Sequence, residues 1–138
     1  MNTGTNKWTR RGEYPFVGGR IFRGTIVYAE HSFYHIAGKS DSKLEVAVIG
    51  RLDESNWRWY NAGELINARY GHNAIYVPPE GILVIGGSTK NGPYLLKNEV
   101  CTILGGTLAC REQSPTLENY LFYPELFVVP DNFCQNGL

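Results

Sequence analysis

An internal repeat limits what this chain can fold into more than any other feature of its sequence. Residues 20–38 (RIFRGTIVYAEHSFYHIAG) align without a gap with residues 69–87 (RYGHNAIYVPPEGILVIGG), at an offset of 49 residues. Further along, LEVAVI (44–49) aligns with NEVCTI (98–103) at an offset of 54 residues. Two copies of one sequence pattern predict two copies of one supersecondary unit, packed against each other.

The repeat sets the expected domain organisation. At 138 residues the chain corresponds to a single domain. Within it we expect one unit over about 20–62, a second over about 69–111, and a partial third unit over 120–138. The partial unit includes PELFVVPDNF, which resembles the first strand of the other two.

Each unit is predicted to contain four short antiparallel strands and no helix. In the second unit these cover roughly residues 73–77, 82–85, 99–104 and 107–111. Pro78-Pro79, Gly86-Gly87 and Gly105-Gly106 supply the breaks between them. Contact between neighbouring units is expected to bury the aliphatic residues of these strands: Ile75, Ile82, Val84, Ile85, Val100 and Ile103.

Composition agrees with an all-β domain and excludes several classes of function. The chain has 16 glycines and 13% aromatic residues, a mixture typical of short strands joined by tight turns. Lys plus Arg and Asp plus Glu both number 13, so the formal net charge is zero, which disfavours a nucleic-acid binder. No apolar run reaches the length of a membrane helix, and the first residues lack the apolar core of a signal peptide.

The second unit resembles the kelch repeat. It opens with Arg69-x-x-His72, continues with an apolar strand that ends in Gly86-Gly87, and has a third strand led by Glu99. The first unit has Ala37-Gly38 in place of the double glycine. The second has Cys110 in the region where kelch units carry tryptophan, whereas the first has Trp57 and Trp59 there.

This resemblance, which covers roughly residues 8–134, implies a β-propeller built from four-stranded blades. Two blades do not complete a ring of four or more, so the chain is either a segment of a longer propeller or a unit that associates with other chains. Self-association is expected in both cases.

Three classes of function follow from the resemblance. The first is a non-enzymatic module whose loops bind a protein or a carbohydrate. The second is an extracellular structural protein that polymerises through its open blade edges. The third, which we favour least, is a propeller-based carbohydrate oxidase with a copper site.

Partner binding in a propeller falls to the loops, because the strands are committed to packing. The loop 88–97 differs most in length between the units, and it contains Lys90, Asn91 and Tyr94. We predict that these residues bind a partner together with Ser40 and Asp41, which lie in the corresponding shorter loop of the first unit. The alternative is that Tyr94 only packs on a neighbouring blade.

Two of the three cysteines are predicted to form a disulfide. If Gly105-Gly106 is a two-residue hairpin loop, Leu104 lies opposite Thr107, and Cys101 lies opposite Cys110 in a non-hydrogen-bonded pair. Such a pair is close enough to be bridged, which favours the secretory pathway or an extracellular location over the cytoplasm. The alternative is a pair of buried free thiols. Cys134 has no evident partner in the chain.

The residues that commonly carry catalysis show no active-site pattern, so we expect no enzyme, no cofactor and no metal. His31 and His35 lie too far apart on a strand to share one ion. His72 is expected to have a structural hydrogen-bonding role. Glu45 and Glu99 occupy equivalent positions in the sequence alignment, which favours a structural role for both over an acid/base pair.

Overall fold

The computed structural model is described here for residues 14, 20–42, 44–89, 97–113 and 124–126. Within these ranges the protein contains nine β-strands and no helix. In chain order the strands are β1 (Ile21–Phe22), β2 (Thr25–Ala29), β3 (Ser32–Ser40), β4 (Glu45–Asp53), β5 (Arg58–Glu64), β6 (Asn73–Val77), β7 (Gly81–Ile85), β8 (Asn98–Leu104) and β9 (Thr107–Gln113).

Strands β1–β5 form one antiparallel sheet, which we call sheet 1. Its order is β1-β3-β4-β5, and β2 also pairs with β3 beyond the end of β1. Between β1 and β2 the chain bends at Arg23, which has a φ of 60°, and at Gly24. A Cβ on Gly24 would lie 2.5 Å from the carbonyl oxygen of Ala37, so only glycine allows β3 to approach this closely. Thus β1 and β2 are two halves of one bent edge strand.

Strands β6–β9 form the second antiparallel sheet, sheet 2, in which each strand pairs with the next along the chain. Its four strands begin and end within two residues of the bounds predicted from sequence. Gly105 and Gly106 have φ of 60° and 88°, as a two-residue hairpin loop requires. The glycine and proline breaks therefore predicted the strands of sheet 2 correctly.

The two sheets pack face to face around one apolar core. Sheet 1 contributes Tyr34, Ile36 and Ile49, which are at most 1% exposed. Sheet 2 contributes Ile82 and Val84, both fully buried. Burial of one such aliphatic side chain contributes about 1.5–3 kcal/mol, so the contact between the sheets stabilises both of them.

The six aliphatic residues predicted to be buried divide into two groups. Ile82 and Val84 are buried between the sheets, as predicted, whereas Val100 is buried on the other face of sheet 2, opposite Leu83. Ile75, Ile85 and Ile103 are only partly buried. Alternation along the strands explains why Ile75 and Ile85 are only partly buried. Their side chains point away from sheet 1, whereas those of Ile82 and Val84 point towards it.

The strand pairing corrects the gapless alignment of the two units. In sheet 1 Thr25 lies opposite Ile36, but in sheet 2 Ala74 lies opposite Val84, one residue short of the predicted partner Ile85. The cause is the first hairpin loop, which has two residues in sheet 1 and three in sheet 2. Because a shift of one residue moves a side chain to the other face, the structural counterpart of Ile75 in sheet 1 is Val27, and not the aligned Ile26.

The predicted partial third unit falls mostly outside the described residues, which include only 124–126 of it. There the side-chain amide of Asn73 donates a hydrogen bond to the carbonyl oxygen of Pro124 at 2.7 Å. Pro124 therefore lies beside Asn73, the first residue of β6.

Candidate functional site

The loops predicted to bind a partner leave the two sheets at the same end of the strands. Lys90, Asn91 and Tyr94 lie outside the described residues, so their predicted role stays a prediction. What the structure describes is the base of their loop, at Ser88, Thr89 and Lys97, and the shorter turn after β3. We call this end of the molecule the loop rim.

Ser40 and Asp41 have different positions on the loop rim. Ser40 is 4% exposed, and its Oγ lies 2.7 Å from the Oγ of Ser42 and 3.2 Å from the carbonyl oxygen of Leu44. Asp41 is exposed and accepts a hydrogen bond from the backbone N–H of Arg20 at 3.0 Å. Ser40 therefore shapes the turn from inside, whereas Asp41 presents a carboxylate to solvent.

Tyr70 connects the rims of the two sheets. Its backbone exchanges two hydrogen bonds with Ser88, at 3.1 and 2.9 Å. Above its ring lie the ammonium of Lys39, 4.5 Å from the ring centroid, and the guanidinium of Arg23, at 5.8 Å. Both distances are within the range of cation–π attraction. The base of the long loop is thereby joined to the edge of sheet 1.

A buried ion pair lies beneath this contact. The Nη2 of Arg69 donates to Oε1 of Glu99 at 2.6 Å, and both side chains are fully buried. The Nη1 of Arg69 also donates to the carbonyl oxygens of Gly86 and Lys97, each at 3.0 Å. Since Gly86 and Lys97 stand at the two ends of the long loop, one guanidinium fixes both ends.

The carboxylate of Glu99 receives further hydrogen bonds from the segment between the sheets. Backbone N–H groups of Ile66 and Asn67 donate to its two oxygens at 2.7 and 3.0 Å. Burial lowers the pKa of Arg69, and the negative charge of Glu99 opposes that shift. The pair thus satisfies its own charges with several hydrogen bonds, the condition under which a buried ion pair is tolerated.

His72 is the second buried member of the Arg-x-x-His motif. It is 4% exposed, and burial, followed by the charge of Arg69, lowers the pKa of its imidazole to about 3. Its carbonyl oxygen accepts a hydrogen bond from the hydroxyl of Thr25 on sheet 1, at 3.1 Å. His72 is therefore neutral at physiological pH and lies at the contact between the sheets.

The structure does not support the equivalence of Glu45 and Glu99 that the alignment indicated. Glu99 lies opposite Val84 in the middle of its sheet, whereas Glu45 lies opposite Lys39 at the start of β4, beyond a bulge in β3. Strand pairing makes Gly50, the partner of His35, the counterpart of Glu99. The role of Arg69 and Glu99 in holding the loop was missed from sequence, although the Arg-x-x-His motif marked the position.

The predicted disulfide is present. Leu104 lies opposite Thr107 and Cys101 opposite Cys110, as the two-residue loop required. The two cysteines are bonded across β8 and β9, with their Cα atoms 3.9 Å apart. Cys134 lies outside the described residues.

The remaining histidines lie in different environments. His31 is in the exposed turn at the opposite end of the strands, where its Nδ1 lies 3.0 Å from Glu54. His35 packs on the ring of Tyr14, and burial lowers the pKa of its imidazole. Within the described ranges, no group of three or more His, Cys, Asp or Glu residues is arranged to hold a metal ion.

The sequence matches no protein-family model, and no curated protein matches it either. In the part of the chain that the structure describes, no helix is long and apolar enough to span a membrane.

Proposed function

We propose that this chain is a non-enzymatic binding module, a segment of a kelch-like β-propeller that presents its loop rim to a protein or carbohydrate partner. The observation that carries the proposal is the attachment of the long loop at both ends by Arg69. A loop held this way loses less conformational entropy when it binds than one with free ends, because part of its ordering is already complete.

The arrangement of the sheets supports the propeller part of the proposal. Each unit is an antiparallel sheet that packs face to face on the next, with β2 beside β6 and β5 beside β9. In a propeller, consecutive blades stack in this order, and loops at one end of the strands form a common surface. The turn after β3 and the described base of the long loop both lie on the loop rim, which fits this arrangement.

The chemistry of the rim supports a polar partner. The exposed Arg23 lies over the ring of Tyr70, and the exposed Arg20 and Asp41 contact each other at the turn after β3. Paired donors and acceptors beside an aromatic ring suit hydrogen-bonding ligands such as a sugar or the polar surface of a protein. The disulfide between Cys101 and Cys110 supports an extracellular or secretory location, where such bonds persist.

The experiment that tests this proposal compares two matched double variants. Lys90→Ala with Tyr94→Ala alters the long loop, while Arg58→Ala with Tyr60→Ala makes the same kind of change at the opposite end of the strands. The wild-type chain and both variants are applied to a glycan array and to a panel of purified extracellular proteins.

Binding that only the loop variant loses, with the melting temperature unchanged, supports the proposal. If wild-type binding survives in the loop variant, or if the chain binds neither panel, the proposal fails. A lower melting temperature with unchanged binding would show that Tyr94 only packs against the fold.

A further inference from the structure

The outer face of each sheet, the one turned away from the other sheet, is apolar. On sheet 1 this face includes Ile26 and Tyr28, which are 64% and 49% exposed, together with the half-buried Phe33. On sheet 2 it includes the half-buried Leu83 and Ile85, and Val100, which lies opposite Leu83 and is 4% exposed. Neighbouring exposed apolar side chains, such as Ile26 and Tyr28, mark interaction surfaces.

The outer face of sheet 2 resembles the inner face of sheet 1, which packs on sheet 2 within the chain. Strand pairing places Ile75, Leu83 and Ile85 on the outer face of sheet 2 at the positions that Val27, Tyr34 and Ile36 occupy on the inner face of sheet 1. All six residues are apolar. The outer face of sheet 2 therefore repeats the face of sheet 1 that already binds a sheet.

The same correspondence holds in the other direction. Ile26, Tyr28 and Phe33 on the outer face of sheet 1 stand where Ala74, Tyr76 and Ile82 stand on the inner face of sheet 2. In both sets the middle residue is a tyrosine, Tyr28 or Tyr76. In their first two strands, the two outer faces thus carry residues like those of the β2–β6 part of the interface that joins the sheets inside the chain.

A polar contact at the edge of the interface has a counterpart as well. The hydroxyl of Tyr76 lies 3.3 Å from a carboxylate oxygen of Glu30, in the first hairpin loop of sheet 1. The residues that correspond to Tyr76 and Glu30 on the outer side of the two sheets are Tyr28, on sheet 1, and Glu80, in the first hairpin loop of sheet 2. In the single chain Tyr28 donates to Glu54 of its own sheet instead, at 3.0 Å.

Tyr14 covers only part of the outer face of sheet 1. Its ring contacts His35 and Trp59, with centroids 4.8 and 4.9 Å away, and it occupies the space that a side chain at Gly50 would fill. Ile26 stays exposed beside it. The free part of the face is thus the region of β2, whose counterpart β6 lies in the internal interface.

We infer that the outer face of sheet 1 in one copy of this chain packs on the outer face of sheet 2 in a second copy, and so repeats the internal interface between molecules. Such a head-to-tail contact uses two different surfaces, so it continues into a closed ring or a filament. The loop rim lies at the ends of the strands and stays accessible. This inference is independent of the partner that the rim binds.

Sedimentation of the full 138-residue chain over a range of concentrations tests the inference. All proteins carry Cys134→Ser, so that an intermolecular disulfide cannot contribute. Ile26→Lys blocks one face and Leu83→Lys blocks the other, while Ile66→Lys, at a residue that is 55% exposed in the segment between the sheets, is the control. Ile75→Lys replaces Leu83→Lys if the latter fails to fold by circular dichroism.

The unaltered chain and the control are expected to grow beyond a dimer as concentration rises. Each face variant alone should bind itself at least about tenfold more weakly. A 1:1 mixture of the two face variants should form a dimer that grows no further, because each partner retains one intact face.

Three results would overturn the inference. The unaltered chain could stay at 15.5 kDa at every concentration. The face variants could assemble as well as the control. The mixture could stay monomeric, which would mean that the intact outer faces of sheets 1 and 2 do not bind each other.

Discussion

Sheets 1 and 2 arise from the same sequence repeat but are held together by different interactions. In sheet 2 the repeat arginine, Arg69, is buried against Glu99, and a disulfide crosslinks the last two strands. In sheet 1 the corresponding arginine, Arg20, has a side chain that is 93% exposed and contacts only the exposed Asp41 among the described residues. The same motif position is therefore a buried anchor in one unit and a surface charge in the other.

The difference shows that the partners around a repeat position decide its role. Glu99 projects from the middle of sheet 2 and receives the chain segment that enters that sheet. Its counterpart in sheet 1 is Gly50, which has no side chain and leaves room for the ring of Tyr14. Sheet 2 fills this space with the hydrogen-bonded carboxylate of Glu99, and sheet 1 fills it with the ring of Tyr14. Burial raises the pKa of the Tyr14 hydroxyl to about 12.

The largest expected difference in stability is between substitutions at two equivalent strand positions, Ile82 on the inner face of sheet 2 and Phe33 on the outer face of sheet 1. Ile82→Asp places a carboxylate in the core, where Ile82 is fully buried, and should cost more than about 4 kcal/mol and unfold the chain. Phe33→Asp, at the counterpart position on the outer face of sheet 1, should leave the chain folded. Circular dichroism and thermal melting measure both. An unfolded Phe33→Asp variant would show that the outer face belongs to the core.

The buried ion pair gives the next largest effect. Arg69→Met leaves Glu99 buried without its partner and should lower the free energy of unfolding by about 3–5 kcal/mol. Arg20→Met, at the same motif position of the first unit, should leave it unchanged within error. Denaturant titration measures both variants, and Glu99→Met added to Arg69→Met should recover part of the loss. Equal losses for the two arginine variants would contradict the contrast drawn between the sheets.

The disulfide should contribute somewhat less than the ion pair. It closes a loop with a sequence separation of 9, so Cys101→Ala with Cys110→Ala should lower the free energy of unfolding by about 2–3 kcal/mol. Amide exchange should become faster in β9 than in the wild type and stay unchanged in β5. A reductant should reproduce the effect in the wild type and have none in the double variant. Unchanged exchange in β9 would show that strand pairing alone holds it.

The smallest effect is a dependence on pH that comes from the second unit. The pKa of His72 is about 3 in the fold and 6.5 without it, so the unfolded chain binds the extra proton between these values. Stability is therefore complete above pH 6.5 and falls as the pH drops, by about 1.4 kcal/mol per unit from this one site. His35, whose pKa burial also lowers, adds in the same direction.

His72→Gln should make the loss of stability between pH 6 and pH 5 less steep by that amount. The aligned position of the first unit holds Arg23, so that unit has no imidazole there. Denaturant titrations at both pH values measure the slope. Identical slopes for the wild type and His72→Gln would show that the imidazole is hydrated in the fold.

The strands of sheet 2 and the disulfide were predictable because both depend on local chemistry. Gly105 and Gly106 require a two-residue loop, and that loop alone determines which residues lie opposite each other on β8 and β9. Pro78 and Gly86 likewise follow directly on the last residues of β6 and β7. Such signals act over a few residues, so sequence order is enough to interpret them.

The contacts around Arg69 could not be predicted in the same way. Arg69 meets Glu99 across 30 residues and Gly86 across 17, and the sequence does not record which of several charges is brought near it. The alignment also assigned Ile75 to the wrong face of sheet 2. The loop between β6 and β7 is one residue longer than its counterpart in sheet 1, and an alignment without gaps does not reveal this. Long-range partners and strand register depend on the assembled fold.

The bonds from Arg69 to Gly86 and Lys97 have a consequence for protein engineering. Both acceptors are main-chain carbonyl oxygens, which every residue type has. The anchor therefore places no demand on the side chains of residues 88–96, and that stretch can be exchanged for other sequences without losing its points of attachment. The chain thus offers a natural insertion site in which randomised peptides can be displayed from a fixed base.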